Sequence, residues 1–248
     1  MKGKSNNSLK VLFEDKDVLV IDKPSGLMVH GDGRSKEKTL ADILVRDYPK
    51  MKNVGEPWKG EKEKQILRPG IVHRLDKETS GVLIIAKNQK SFEFLKTQFA
   101  GRNVKKIYRA VISGFMREDR GTISAPIGRS KGDFRKRIVG GRGELREAVT
   151  MWRVLKRFTK GAKKYSYLEI FPKTGRTHQI RVHMKYTGHP VVGDDLYGSL
   201  KESKGFDRLM LHALSLELAL PSGKKLKIES LLPLEFKELD GVRPVAKK

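Results

Sequence analysis

Two short segments of this 248-residue chain concentrate side chains able to do covalent or acid–base chemistry. The first is His73-Arg74-Leu75-Asp76-Lys77-Glu78-Thr79-Ser80-Gly81, which runs directly into the apolar stretch 82–86. An Asp beside an Arg at the entrance of a buried strand is a candidate catalytic pair. A neighbouring cation favours the charged form of a carboxylate, and an ionised Asp serves as nucleophile or general base. By residue type alone, an ordinary surface ion pair explains Arg74 and Asp76 at least as well.

The second segment is Thr174-Gly175-Arg176-Thr177-His178-Gln179-Ile180-Arg181-Val182-His183-Met184. Thr177 reads as the N-cap of a helix carrying Arg181 and His183. Basic residues beside the open N–H groups of a first helical turn make an anion site. His178 and His183 invite a metal reading, but a spacing of five does not put them on one helical face. No third His or carboxylate stands at a useful offset, so no metal is expected. Gly188-His189-Pro190 and Gly193-Asp194 read as turns.

A third stretch, 128–147, carries charge rather than chemistry. Arg129, Lys131, Arg135, Lys136, Arg137, Arg142 and Arg146 are interrupted by Gly132, Gly140, Gly141 and Gly143. It reads as mobile and poor in large apolar residues. It is either a solvated hairpin tip or an arm that reaches into RNA. The whole-chain charge favours the arm. Lys and Arg number 53 against 29 Asp and Glu, a formal net charge of +24. Such a charge repels itself in a compact fold and calls for an anionic partner. Nucleic acid answers that need, because each neutralised phosphate releases a condensed counterion.

These segments need a scaffold. The hydrophobic fraction of 38% supports a real core. The runs 18–21 and 82–86 read as buried strands, as do 108–112 and 165–171. Leu214, Leu216, Leu218 and Leu220 alternate with smaller or polar residues and predict a strand with one apolar face. Thr39 and Asp42 form a capping-box pattern ahead of a helix with Leu40, Ile43 and Leu44 facing inward. A second helix puts Phe92, Leu95 and Phe99 on one face and stops near Gly101. Residues 1–9 and 241–248 read as basic tails, the first of them disordered, around one catalytic domain at 10–240. Residues 50–68 read as a polar surface insertion. Strands scattered among helices without regular alternation imply an α+β protein with a mixed, largely antiparallel sheet. The chain has no cysteine, which excludes disulfides, thiolate zinc sites and a Cys nucleophile and suits a cytoplasmic location. The N-terminus has no apolar core of a secretory signal, and no apolar run is long enough to span a bilayer.

The string His73-Arg74-Leu75-Asp76 with Thr79-Ser80-Gly81 resembles the signature of the RluA family of RNA pseudouridine synthases. Lys23-Pro24-Ser25-Gly26-Leu27, Tyr108-Arg109-Ala110 with Gly114, the segment 175–183, Gly188-His189-Pro190, Gly193-Asp194 and Leu211-His212-Ala213 resemble further family segments in the same order. The resemblance spans roughly 10–236. It implies the pseudouridine synthase fold with a central catalytic cleft, and it implies isomerisation of uridine in rRNA or tRNA without metal or redox cofactor. By that resemblance, Asp76 is the essential carboxylate that attacks or activates the glycosidic carbon. Tyr108 stacks on the target base, and Arg181 pairs with the aspartate. Arg74 helps hold the target nucleotide out of its stack, since such a base must first leave the helix. Arg176, His178, Arg135, Lys136 and Arg137 are further candidates for contact with structured RNA. The S4-type RNA-binding domain of longer members is not expected here, so RNA affinity falls to the catalytic domain's own charge. The chain is expected to act as a monomer.

Two rivals remain open at this stage. A catalytically silent RNA-binding or ribosome-assembly protein on the same fold would share the charge and the pattern. A glycosidase acting through Asp76 and Glu78 would need two carboxylates about 5–10 Å apart across a sugar, which residues two apart on a strand could supply.

Overall fold

The computed structural model describes residues 9–31, 37–56, 58–59, 65–199, 203–241 and 244–245. The expected tails at 1–9 and 241–248 and the middle of the 50–68 insertion fall largely outside the described residues. Contacts divide the chain into two compact units, one of Met1–Gly101 with Ala219–Ser230, the other of Arg102–Leu218 with Leu231–Lys248.

In the first unit, β1 (Lys10–Glu14) and β2 (Val18–Lys23) form an antiparallel pair. α1 (Leu40–Asp47) starts at Thr39 with the capping box the sequence predicts. The Thr39 hydroxyl accepts from the Asp42 N–H, and the Asp42 carboxylate accepts from the Thr39 N–H at 2.8 Å. Leu40, Ile43 and Leu44 are buried. A two-residue ribbon pairs β3 (Trp58–Lys59) with β4 (Gln65–Ile66). β5 (Ser80–Ala86) lies antiparallel against β2. Both strands are buried on both faces, which explains continuous apolar runs where a half-exposed strand would alternate. α2 (Gln89–Ala100) is capped by Asn88, whose side chain accepts from the Ser91 N–H at 2.9 Å, and it packs on β5.

The second unit contains β6 (Lys105–Ser113), β7 (Arg120–Ser124), β8 (Ile127–Arg129), β9 (Arg137–Val139), β10 (Arg142–Arg146), β11 (Val149–Lys160), β12 (Lys163–Pro172), α3 (Gln179–Tyr186) and β13 (Leu211–Ala219). The main sheet runs β13-β6-β12-β11-β7, with every one of these neighbours antiparallel. The period of two along β6 sorts its residues between two cores. Ala110 and Ile112 join Leu168, Ile170 and the α3 residues Ile180 and Met184 on one side. Val111 joins Tyr165, Tyr167 and Phe236 on the other. Chain and layers make an α+β fold, as the pattern implied.

Three expectations change. β13 does not keep one uninterrupted apolar face. Its pairing with β6 shifts between Ala213 and Ser215, so Leu214 is only half-buried while Ser215 is buried. The stretch 128–147, read as a mobile arm or a solvated hairpin tip, is more regular than that: β10, β8 and β9 form a separate three-stranded antiparallel sheet. Gly141 serves close approach, since a Cβ there would meet the Arg129 carbonyl oxygen at 2.5 Å. Asp76 and Glu78 are not on a strand. β5 begins at Ser80, and residues 76–79 form a turn closed by the Thr79 N–H on the Asp76 carbonyl at 3.1 Å. The strand geometry that a paired-carboxylate glycosidase required is therefore absent.

Candidate active site

The Asp76 turn is held by main-chain carbonyls. Lys23, at the end of β2, is fully buried. Its ammonium donates to the carbonyls of Pro24 and Leu27 at 2.8 Å and of Lys77 at 2.9 Å. Gly26 N–H donates to the same Lys77 carbonyl, and the Ser25 hydroxyl to that of Glu78. The segment 23–27 thus grips the turn chiefly by its backbone, and the Ser25 hydroxyl also lies 3.5 Å from a Glu78 carboxylate oxygen. A buried ammonium is tolerable here because several oxygens satisfy its donors.

Upstream, His73 is fixed twice. Its ring stacks on Phe99 of α2 with centroids 4.4 Å apart, and its Nε2 accepts from the Ile84 N–H of β5. Asp76 is half-buried and Arg74 exposed. Arg74 donates to His30 Nε2 at 3.1 Å, while His30 Nδ1 lies 2.9 Å from the Gly31 carbonyl, which assigns the His30 proton to Nδ1. Burial, and then the positive charge of Arg74, pushes the nearby Arg68 guanidinium down from its ordinary value.

In the second unit, Tyr108 lies on β6 opposite Ile170 and Ala213 and packs half-buried against the core that contains α3. Lys106 is two residues earlier on the same face of the strand. Its ammonium donates to the Thr174 carbonyl at 3.2 Å, and burial pushes its pKa down to about 8.

α3 does not begin at Thr177. Its N-cap is His178, in the left-handed region at φ 57°, and no side chain caps the N-terminus. The polar anchor is Gln179 instead. Its Oε1 accepts from the Thr174 hydroxyl and the Arg176 N–H, and its amide donates to the Val149 carbonyl and the Thr150 hydroxyl. His183, fully buried, sits between the Thr150 hydroxyl at Nδ1 and the Ala125 carbonyl at Nε2. Burial lowers its pKa, and its partners make it a satisfied core histidine. Among the described residues no group of three or more His, Asp or Glu side chains is placed to hold a metal ion.

Arg181 is buried in a two-point ion pair with Asp194, at 2.7 Å and 2.8 Å. Asp194 Oδ1 also accepts from the N–H groups of Leu196 and Tyr197. The guanidinium carbon of Arg181 lies 5.1 Å from the centroid of the Tyr197 ring. The Tyr197 hydroxyl accepts from the Arg137 N–H at 2.9 Å and bonds His178 Nδ1 at 2.8 Å. Tyr197 therefore joins the base of the three-stranded sheet to both His178 and Arg181. Sequence reading missed Asp194 and Tyr197 as site components. Gly193 fits its place because a Cβ would lie 1.8 Å from the Arg208 carbonyl oxygen, and a Gly-Asp pair otherwise reads as a turn.

Of the remaining candidates, Arg176 donates to the Glu147 carbonyl and is half-buried. Arg135 is exposed and paired with Asp133 on the connection from β8 to β9; Lys136 follows it there, and Arg137 opens β9. No helix among the described residues is long and apolar enough to cross a membrane.

Known proteins resemble this chain over most of its length. The family model described as RNA pseudouridylate synthase matches residues 17–186. YlyB of Bacillus subtilis, described as an uncharacterized RNA pseudouridine synthase, is 40% identical over 232 residues, covering 93% of this chain and 71% of its own. Ribosomal large subunit pseudouridine synthase D of Pseudomonas aeruginosa is 38% identical, over 92% of this chain and 69% of its own. The solved structure of human RNA pseudouridylate synthase domain containing 1 superposes with a TM-score of 0.71 at 26% identity, covering 99% of this chain and all of that one. The motif around Asp76, the α+β fold and these likenesses over most of the length together establish that the chain belongs to the RNA pseudouridylate synthase family, isomerases that convert uridine to pseudouridine in RNA.

Proposed function

We propose that this chain isomerises one or more uridines of ribosomal or transfer RNA, with Asp76 as the carboxylate that attacks or activates the glycosidic carbon. The observation that carries the reading is the Asp76 turn. Its backbone is gripped by residues 23–27 at the Lys77 and Glu78 carbonyls, which fixes the position of the half-buried Asp76 at the head of the turn. Isomerisation breaks the C–N glycosidic bond, turns the uracil and forms a C–C bond. A carboxylate stabilises or traps the electron-poor sugar, and an aromatic face holds the detached base. In this reading Tyr108 supplies that face and Arg181 the buried cation that offsets desolvation of Asp76. Arg74 holds the flipped nucleotide. Arg176, His178, Arg135, Lys136 and Arg137 contact the RNA around it. Residues 10–240 form the catalytic region between basic tails, and the protein works as a cytoplasmic monomer. The name of the Pseudomonas relative supports a ribosomal target.

The test is incubation of purified protein with ribosomal and transfer RNA from a strain that lacks it, followed by mapping of pseudouridine. New pseudouridine at discrete positions is the expected result. RNA that binds but stays unchanged would favour the silent binder.

A further inference from the structure

The three-stranded sheet formed by β8, β9 and β10 ends in a side chain that phosphate binding does not explain. Phe134 is 71% exposed at the β8–β9 connection, the most exposed large apolar side chain among the described residues. A lone exposed hydrophobic residue is normal; the setting of this one is not. The connection is tied as a turn beneath the ring. Asp133 accepts from the Arg135 N–H, Nε and Nη2 at 2.8–3.0 Å. The Lys136 N–H donates to the Asp133 carbonyl, and the Ser130 N–H to that of Lys136. Arg137 Nη1 donates to the Phe134 carbonyl. The backbone on both sides of Phe134 is therefore committed, and the ring stands outward. Its one acidic neighbour, Asp133, is held by Arg135. Arg129, Lys131, Lys136 and Arg137 leave the surroundings cationic.

An aromatic face set among cations is the arrangement that binds unstacked nucleobases, with the cations following the backbone while the ring takes a base. We propose that Phe134 stacks on an unpaired base of the RNA substrate, away from the uridine that reacts. The arm then contributes a base contact as well as phosphate contacts. This rests on the reading of the arm as an RNA-contacting element.

The test uses an RNA hairpin with 2-aminopurine in its loop and measures affinity across a salt series. It compares wild type, Phe134→Leu, Phe134→Trp and the triple variant Arg135→Ala/Lys136→Ala/Arg137→Ala. Phe134→Leu should weaken binding about tenfold with an unchanged salt slope, because no phosphate contact is lost. Phe134→Trp should keep or raise affinity, and at saturating protein every variant that keeps an aromatic ring at 134 should quench 2-aminopurine while Phe134→Leu should not. If the triple variant binds more weakly with a flatter salt slope while Phe134→Leu matches wild type in affinity and quenching, the stacking proposal is overturned, the arm reading stands, and the ring is left for a protein partner. If neither set changes binding, the arm reading itself fails and takes the stacking with it.

Discussion

The turn that carries Asp76 and the helix that carries Arg181 are held in opposite ways. Main-chain carbonyls and one buried ammonium hold the Asp76 turn. Arg181 is held by side chains, through Asp194, Tyr197 and the Gln179–Thr150 network. A turn held through its main chain keeps its course when a side chain on it changes. A side-chain-held cation is fixed in direction and shielded from water, which suits electrostatic support more than covalent chemistry.

The contrast can be broken at its strongest point first. Asp194→Ala removes the counter-charge of a buried guanidinium and four accepted hydrogen bonds, and should cost roughly 3–5 kcal/mol of stability. A loss under about 1 kcal/mol in denaturant melts would mean that the main chain holds this region too. Lys23→Met removes the donor to three carbonyls, of which that of Lys77 keeps the Gly26 N–H, and should cost roughly 1–3 kcal/mol. It should also lower turnover more than it lowers RNA affinity, because the turn itself shifts. Equal turnover by this variant would show that residues 24–27 suffice as the grip. Tyr197→Phe removes only a hydroxyl, at about 1 kcal/mol. Amide exchange at Arg137 should rise while the Arg181–Asp194 pair persists. Unchanged exchange would uncouple the three-stranded sheet from α3.

The smallest effect is a pH dependence. Lys106 has its pKa lowered by burial to about 8 in the fold, against 10.5 ordinarily. Between these values the unfolded chain keeps a proton that the folded chain has lost, so stability rises with pH across that window. Below it, both states are charged and the burial penalty is constant. Relative to Lys106→Met, the wild type should gain on the order of 1 kcal/mol from pH 8 to 10.5 after solvent screening. A flat difference would remove burial as the cause.

Regular elements were legible where local chemistry and burial agree. Thr39 and Asp42 announced a capping box, and the runs at 18–21 and 82–86 announced strands covered on both faces. Asp76, Arg74 and Arg181 were legible as candidates because their motifs lie in contiguous sequence. Lys23 was not legible as a buried anchor, since a lysine is read as a surface residue until the carbonyls around it are seen. Asp194 and Tyr197 act across distances that no local pattern encodes. The bulge in β13 and the pairing of residues 127–146 depend on register, which alternation and glycine content do not specify.

The most direct test of the central claim is single-turnover pseudouridine formation by Asp76→Asn on the RNA identified by mapping, with RNA affinity and melting temperature measured on the same preparation. Stability and affinity should stay close to wild type, because the turn is held by its backbone, while the rate falls by about 10⁴-fold or more. Appreciable turnover by a preparation free of wild-type enzyme would contradict the assignment of Asp76 as the carboxylate that does the chemistry.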